Sequence, residues 1–456
     1  MSARHTSLRT GPWRTGIAAF FLTVVAVVAP SHAMDIKRVV SPGGIEAWLV
    51  EDHKVPVLAL EWSFEGAGGT DPQGKEGLAN LVSTMLDEGA GPFDSQAFQA
   101  RLQDSAISLG FDAGRDGFSG SLRTLTEHRD EALELTRLAL AEPHFAQESL
   151  DRMRASITSS LRRDLADPNY VSRRQFYATA FPGHPYGDEI RGTLESLPRI
   201  VPDDLRGFVK RQFGRERLVV AAAGDISPDD LGKALDTVFG GLPAKVEVPQ
   251  VPDATMAGLG QTILIQRPTA QTVMLMGQPG VKRDDPDWYT ATVMNYVLGG
   301  GGFGSRLMEE VREKRGLSYG VYSYLIPMDH SAMVLAGGST VNAKAGQALD
   351  IMRQEWARMA SDGVSEQELA DAKTYLTGSF PLQLGSTSAI ARVLLQVKRD
   401  NLGIDYLNQR DRYINAVTQA DVKRVAQRLL DPAKLLTVLV GKPAGVTPTQ
   451  TIDGGS

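Results

Sequence analysis

The sequence has no cysteine in 456 residues. That excludes a disulfide framework, a thiolate zinc site and a thiol nucleophile. It also excludes a bacterial lipoprotein anchor, whose lipid is carried on cysteine. Histidine is scarce: the seven are His5, His32, His53, His128, His144, His184 and His330, and no two stand three or four residues apart. No H-x-x-x-H, H-x-x-E-H or reversed zinc helix can therefore be drawn. An excess of basic charge is missing too. A net charge of −6, with no long Lys/Arg-rich stretch, leaves no electrostatic footprint for nucleic acid. With 42% hydrophobic and 22% charged residues, composition excludes disordered, collagen-like and polytopic membrane classes.

Residues 1–33 read as an address. Arg4, Arg9 and Arg14 form an acid-free positive segment, Ile17 to Ala29 is a largely apolar run, and Ser31-His32-Ala33 places small residues at both cleavage positions. This is the pattern of a cleaved secretory signal peptide. The run is too short to span a bilayer and ends at Pro30. No membrane anchor is expected after cleavage, and a periplasm is the expected destination.

The remainder repeats itself. Val201-Pro-Asp-Asp-Leu-Arg-Gly-Phe-Val opens a helix-like stretch that leads to Leu218-Val-Val-Ala-Ala-Ala and Gly224. Val417-Thr-Gln-Ala-Asp-Val-Lys-Arg-Val opens another, followed by Leu435-Leu-Thr-Val-Leu-Val and Gly441. A helix followed by a strand that stops at glycine is ordinary punctuation, but the same order and spacing in two places points to a duplicated domain of ordinary size. Ile45 to Val50 and Val57 to Phe64 read as strands separated by a turn through Asp52 and His53, while Asp130 to Leu140, Leu205 to Phe213 and Ala343 to Ala360 carry helical spacing. Short strands followed by long helices predict an α+β fold. The predicted plan is a signal peptide (1–33), an N-terminal domain (34–241), a Pro-rich linker (242–260), a homologous C-terminal domain (261–443) and a flexible tail (444–456).

The most informative stretch runs from Gly74 to Gly89. Leu78, Leu81, Val82, Met85 and Leu86 fall on one stripe of an amphipathic helix, and Asn80, Ser83, Thr84 and Asp87 on another. By itself this says only that a helix docks on a core.

Here the sequence resembles the pitrilysin/insulinase family of inverted zinc metallopeptidases, in its short-chain, processing-peptidase-like branch. Active members carry Gly-Leu-Ala-His-x-x-Glu-His-Met-Leu on this helix; the histidines bind zinc and the glutamate activates water. This chain keeps Gly77-Leu78-Ala79 and Met85-Leu86 but has Asn80, Ser83 and Thr84 at the three chemical positions. Counted back from Asp167-Pro168, the family's later glutamate ligand falls on Ser160. Amide and neutral hydroxyl groups do not replace imidazole and carboxylate around zinc, and Ser83 has no neighbour to make it a base. No cofactor is therefore expected on this chain. The resemblance implies two homologous domains in tandem, each a mostly antiparallel sheet packed with helices, together forming half of a clamshell.

Gly299, Gly301 and Gly304 satisfy G-x-G-x-x-G, but the preceding Trp288 to Leu298 reads as a helix and no Lys-Ser/Thr pair follows, so dinucleotide and phosphate-loop readings both fail. The glycines read as a flexible turn onto a helix capped by Ser305, which stops at Gly316. Spacing alone makes Arg312 a solvated charge and Tyr319 a strand residue. The resemblance gives them another role. In the family an arginine and a tyrosine seven residues later project toward the zinc from the opposite half, and Arg312 and Tyr319 match that spacing. They would donate hydrogen bonds to the oxyanion formed when water attacks a peptide carbonyl. In the short-chain branch one chain carries zinc and the other can supply this pair. The leading expectation is thus a non-catalytic subunit of a heteromeric periplasmic peptidase. Arg312 and Tyr319 would act in trans, zinc would sit in an H-x-x-E-H partner, and a peptide would be the substrate. The alternative is a catalytically silent scaffold or peptide-binding protein. His184, in Phe181-Pro-Gly-His184-Pro-Tyr-Gly187, reads as structural. No Ser/His/Asp arrangement supports unrelated chemistry.

Overall fold

The structure, a computed structural model, describes residues 34–454; the expected signal peptide lies outside the described residues. The first half holds strands β1 (Lys37–Val40), β2 (Glu46–Glu51), β3 (Val57–Glu65), β4 (Ser108–Ala113), β5 (Gly117–Leu125) and β6 (Leu218–Gly224). Its helices are α1 (Leu78–Ser83), α2 (Ser95–Asp104), α3 (Arg129–Ala141), α4 (Gln147–Asp164), α5 (Pro168–Ala180), α6 (Pro202–Gln212) and α7 (Pro228–Phe239). The second half holds β7 (Thr262–Gln266), β8 (Gln271–Pro279), β9 (Ser318–Pro327), β10 (Ala332–Val341), β11 (Leu436–Gly441) and β12 (Gln450–Asp453). Its helices are α8 (Trp288–Asn295), α9 (Ala345–Asp362), α10 (Glu366–Gly378), α11 (Thr387–Arg399), α12 (Tyr406–Ala416) and α13 (Gln419–Leu429). Residues 242–261 carry neither helix nor strand.

Each half builds one six-stranded sheet, in the orders β1-β2-β6-β3-β5-β4 and β12-β7-β11-β8-β10-β9. From the second position onward the two orders correspond strand for strand. The late strand of each half (β6 or β11) inserts between the first two of the shared set, parallel to one and antiparallel to the other. The segment through Asp52 and His53 is therefore a connection between non-neighbouring strands rather than a hairpin. The repeated helix entries are alike in detail. Asp204 accepts from Val201 N at 2.9 Å and Asp421 from Thr418 N at 3.0 Å, so each third helical residue ties down its own N-terminus.

Each sheet packs its own half's helices on one face. Its other face is covered by a helix from the opposite half: α11 lies on β6, β3 and β2, and α5 lies on β11 and β8. Residue size follows this exchange. On β6, Val220 and Ala222 belong to the first core, while Ala221 and Ala223 turn the other way and meet Ala391, Leu394 and Leu395 of α11. On β11, Leu439 faces its own helices, and Leu436, Val438 and Val440 pack with Phe176, Ala180 and Phe181. Gly277 on β8 must be bare, because a methyl group there would collide with Leu335 and lie 3.0 Å from the Phe176 ring. Covering on both faces explains why β3 is buried almost throughout instead of alternating.

One expectation fails at the carboxyl end. The expected flexible tail includes β12, which pairs in parallel with β7 (Thr451 opposite Leu264). Its Gly, Thr and Gln content reads as loop, but an edge strand of this kind is held by main-chain bonds, with Thr449 N donating to Thr262 O at 2.8 Å just before it. Among the described residues no helix is long and apolar enough to cross a membrane.

Candidate functional site

The stripe read from the sequence is buried: Leu78, Leu81, Val82, Met85 and Leu86 are all within the first core. Gly77 enters α1 with φ +94°, packed so closely on the Gly192 backbone that a side chain would not fit. The Asp71 carboxylate accepts from Gly77 N at 2.9 Å and Ala79 N at 3.0 Å, capping the helix from a distance. The regular helix is shorter than the apolar stripe from Leu78 to Leu86. It ends at Ser83, and the chain continues in tight three-residue turns, with Met85 N donating to Val82 O and Glu88 N to Met85 O. The Ser83 hydroxyl donates to Asn80 O at 2.8 Å and the Thr84 hydroxyl to Leu81 O at 2.9 Å, which competes with regular helical bonding.

These bonds also describe what the four degenerate positions do. Ser83 is buried, while Asn80, Thr84 and Ser160 are half-buried. The two α1 hydroxyls are spent on their own helix. Ser160, on α4, which packs against α1, reaches only Asp164, at 3.5 Å. Among the described residues no group of three or more His, Asp or Glu side chains could hold a metal ion. The donor set does not fit zinc. We expect residues 34–456, purified without a metal-binding tag and dialysed, to carry well below one zinc per chain by inductively coupled plasma mass spectrometry; stoichiometric zinc would contradict the assignment.

The His184 ring is tied on both sides. Its Nδ1 accepts from Tyr186 N at 3.1 Å and its Nε2 lies 2.9 Å from Pro252 O. Tyr186 in turn donates to Asp116 at 2.6 Å and accepts from His330 N at 2.9 Å. Burial and then the Asp116 carboxylate push the Tyr186 hydroxyl far above the ordinary phenol range, so it stays protonated. This cluster fastens the segment after the first half to both halves.

The second half carries a different surface. Helix α8 continues into a π-helical turn at Tyr296–Gly300, and a second π-helical stretch spans Met308–Glu313. Such turns are uncommon and gather at functional sites. Between them lies the glycine loop. A side chain at Gly299 would meet Ser323 N at 2.6 Å, so this glycine lets the loop press onto β9. Ser305 does not cap the following helix; its hydroxyl turns back and donates to Gly302 O at 2.7 Å.

Arg312 sits in the second π-helical stretch, half-buried. Its guanidinium lies over the Phe303 ring at 4.5 Å, and its Nη1 is buried without a hydrogen-bond partner, 3.5 Å from Glu313. Tyr319 is at the start of β9, the edge strand of the second sheet, and is 87% exposed. A β-bulge puts it there. Thr340 pairs with Ser318 and Gly338 with Val321, so Tyr319 and Gly320 together oppose the single Ser339. Without the extra residue, Tyr319 would share the buried face of Val321. The buried Ser318 hydroxyl steadies the bulge, donating to Ser339 O at 2.7 Å and accepting from Gly320 N at 3.1 Å. Bulges often re-aim a side chain in this way beside functional sites.

Sequence reasoning missed two parts of this surface. Phe303 offered no signal beyond being an aromatic among glycines. Arg306 gave none: it is 6% exposed, forms a two-pronged pair with Glu368 (2.6 and 2.8 Å) and donates to Gly363 O at 2.8 Å. That pair joins the arginine-bearing helix to the first turn of α10.

Two like halves on one sheet topology define a duplicated α+β chain in which, among the described residues, no cluster of metal-ligating side chains occurs. Residues 199–376 match the family model described as the peptidase M16 inactive domain. The solved structure of a peptidase M16 inactive domain from Pseudomonas fluorescens superposes with a TM-score of 0.84 at 28% identity, covering 91% of this chain and 99% of that one. Curated relatives include the "non-peptidase homolog YmxG" of Helicobacter pylori, 29% identical over 73% of this chain and 77% of its own length. Another is an uncharacterized zinc protease of Streptomyces coelicolor, 28% identical over 78% and 76%. The chain is thus similar to peptidase M16 proteins, among them ones described as an inactive domain and a non-peptidase homolog.

Proposed function

We propose that this chain is the zinc-less subunit of a heteromeric periplasmic zinc metallopeptidase, supplying Arg312 and Tyr319 to the active site of an H-x-x-E-H partner. The observation that carries this reading is Tyr319. A bulge turns a large phenol outward at 87% exposure, and among the described residues its hydroxyl has no partner. Nearby in sequence, Arg312 keeps a donor nitrogen unsatisfied. A phenol and a guanidinium are suited to donate hydrogen bonds to a developing oxyanion, while among the described residues no group of side chains could hold a metal to generate one. The reaction is peptide hydrolysis, and the zinc and its activated water belong to the partner.

The test is reconstitution. Mixed with an H-x-x-E-H chain of similar length, the protein should support peptide cleavage that neither chain performs alone. Arg312→Ala or Tyr319→Phe should then lower kcat by about 10²–10³-fold with assembly intact, the usual scale for losing one oxyanion donor. Normal turnover in both variants would end the trans-site reading. A second reading, a silent scaffold or peptide-binding protein, is favoured by the name of the Helicobacter pylori relative. It predicts a stable assembly with no cleavage in any pairing.

A further inference from the structure

We propose that Phe303 is a positioning residue for Arg312, fixing the orientation of its guanidinium by a cation–π contact. Only the catalytic consequence of this contact rests on the trans-site reading above.

Phe303 is 69% exposed and belongs to none of the hydrophobic cores. Core packing therefore does not explain its placement. Its ring instead lies 4.5 Å from the Arg312 guanidinium carbon, a distance at which the negative ring face attracts the cation. Both ends of the loop are fixed. Gly301 N donates to Tyr296 O at 2.8 Å, and Ser305 N donates to Gly302 O at 3.1 Å. Gly302 takes φ +58° with open space around it, a backbone state that favours glycine and sets Phe303 at the tip.

The surrounding charges explain why such a contact is needed. Arg312 shares its helix with Glu309, Glu310 and Glu313. Lys314 holds both Glu309 and Glu310, at 3.0 and 2.8 Å, and Arg315 also holds Glu310, at 2.6 Å. Glu313 remains, 3.5 Å from Arg312 Nη1 and without a hydrogen bond to it. The ring face and this loose ion pair are what hold the guanidinium in place.

The test needs no partner. The protein spanning residues 34–456 is treated with p-hydroxyphenylglyoxal, and modification of each arginine is followed by peptide mass mapping. Phe303→Leu keeps apolar bulk but removes the ring face; it should raise the Arg312 modification rate several-fold, with other arginines and the melting temperature unchanged. Phe303→Trp, a stronger cation–π partner, should protect Arg312 at least as well as the native residue. Equal rates in all three proteins would overturn the proposal. Where a peptidase is reconstituted, Phe303→Leu should lower kcat with KM held, and Phe303→Trp should restore it; unchanged kcat in the leucine variant would also overturn it. If labelling shifts as expected but no pairing yields cleavage, the positioning contact stands and the trans-site reading falls.

Discussion

Cut within residues 242–260 and produced separately, neither half of this chain is expected to fold. Residues 34–241 contain every strand of the first sheet but lack α11, which covers that sheet's second face. Without it, Ala59, Ala221 and Ala223 face water, and the partners they lose include the fully buried Ala391 and Leu394. Burying a large apolar side chain contributes about 1.5–3 kcal/mol. Losing one helix face of this kind removes several kcal/mol, against a total stability of about 5–15 kcal/mol. The second half loses more aromatic surface, since Phe176 and Phe181 of the first half lie on its sheet. Each fragment should show rapid proteolysis and no cooperative melt, and co-production of the two should restore a soluble complex through the exchanged helices. A sharp thermal transition in residues 34–241 alone would refute this.

Arg306→Ala is expected to destabilise the protein by about 1.5–3 kcal/mol, the usual scale for hydrogen bonds to a charged group, because Glu368 is only half-buried. The guanidinium is almost fully buried, and its loss strips Glu368 of both prongs and Gly363 O of its donor. Replacing both partners with apolar residues should cost less, because no unpaired charge remains. The pH dependence follows from Glu368. Burial alone would raise its pKa, but the Arg306 fork and Ser365 N hold the carboxyl down to about 2, below its ordinary 4.5. A depressed folded pKa means the pair stabilises fully above about pH 4.5 and fades as pH falls toward 2. Urea melts at pH 7 and pH 3 should therefore differ by less in Arg306→Ala than in the native chain. An Arg306→Ala melt indistinguishable from native at pH 7 would rule out a stabilising role for the pair.

What the sequence disclosed, and what it hid, follows from the kind of information each feature carries. The repeat was readable because the helix–strand–glycine units ending at Gly224 and Gly441 are local and occupy matching places in the two sheets. Apolar periodicity located α1 but overran its end, since Met85 and Leu86 remain buried after the helix tightens into short turns. The pairing of β6 between β2 and β3 was not readable, because adjacency along the chain says nothing about which strand inserts later. The helix exchange was hidden for a similar reason: an apolar stripe on α5 or α11 shows that it is buried, not on which sheet. β12 was missed because main-chain bonds hold it, and composition does not report those. At the site, spacing alone left Arg312 and Tyr319 as surface residues. The family pattern singled them out, and the bulge opposite Ser339 supplies the reason Tyr319 points outward, which no reading of single residues could give.

The helix exchange also sets a timetable. When residues 34–456 are made without the expected export segment, at about 5–20 residues per second, a ribosome that has finished β6 needs on the order of ten seconds to reach α11. The first sheet waits through that interval with one apolar face uncovered, and such incomplete intermediates readily aggregate. A holding chaperone that binds extended apolar strands would fill that wait, and ribosome-bound nascent chains stalled before residue 387 should bind it more tightly than those stalled after residue 399 has emerged.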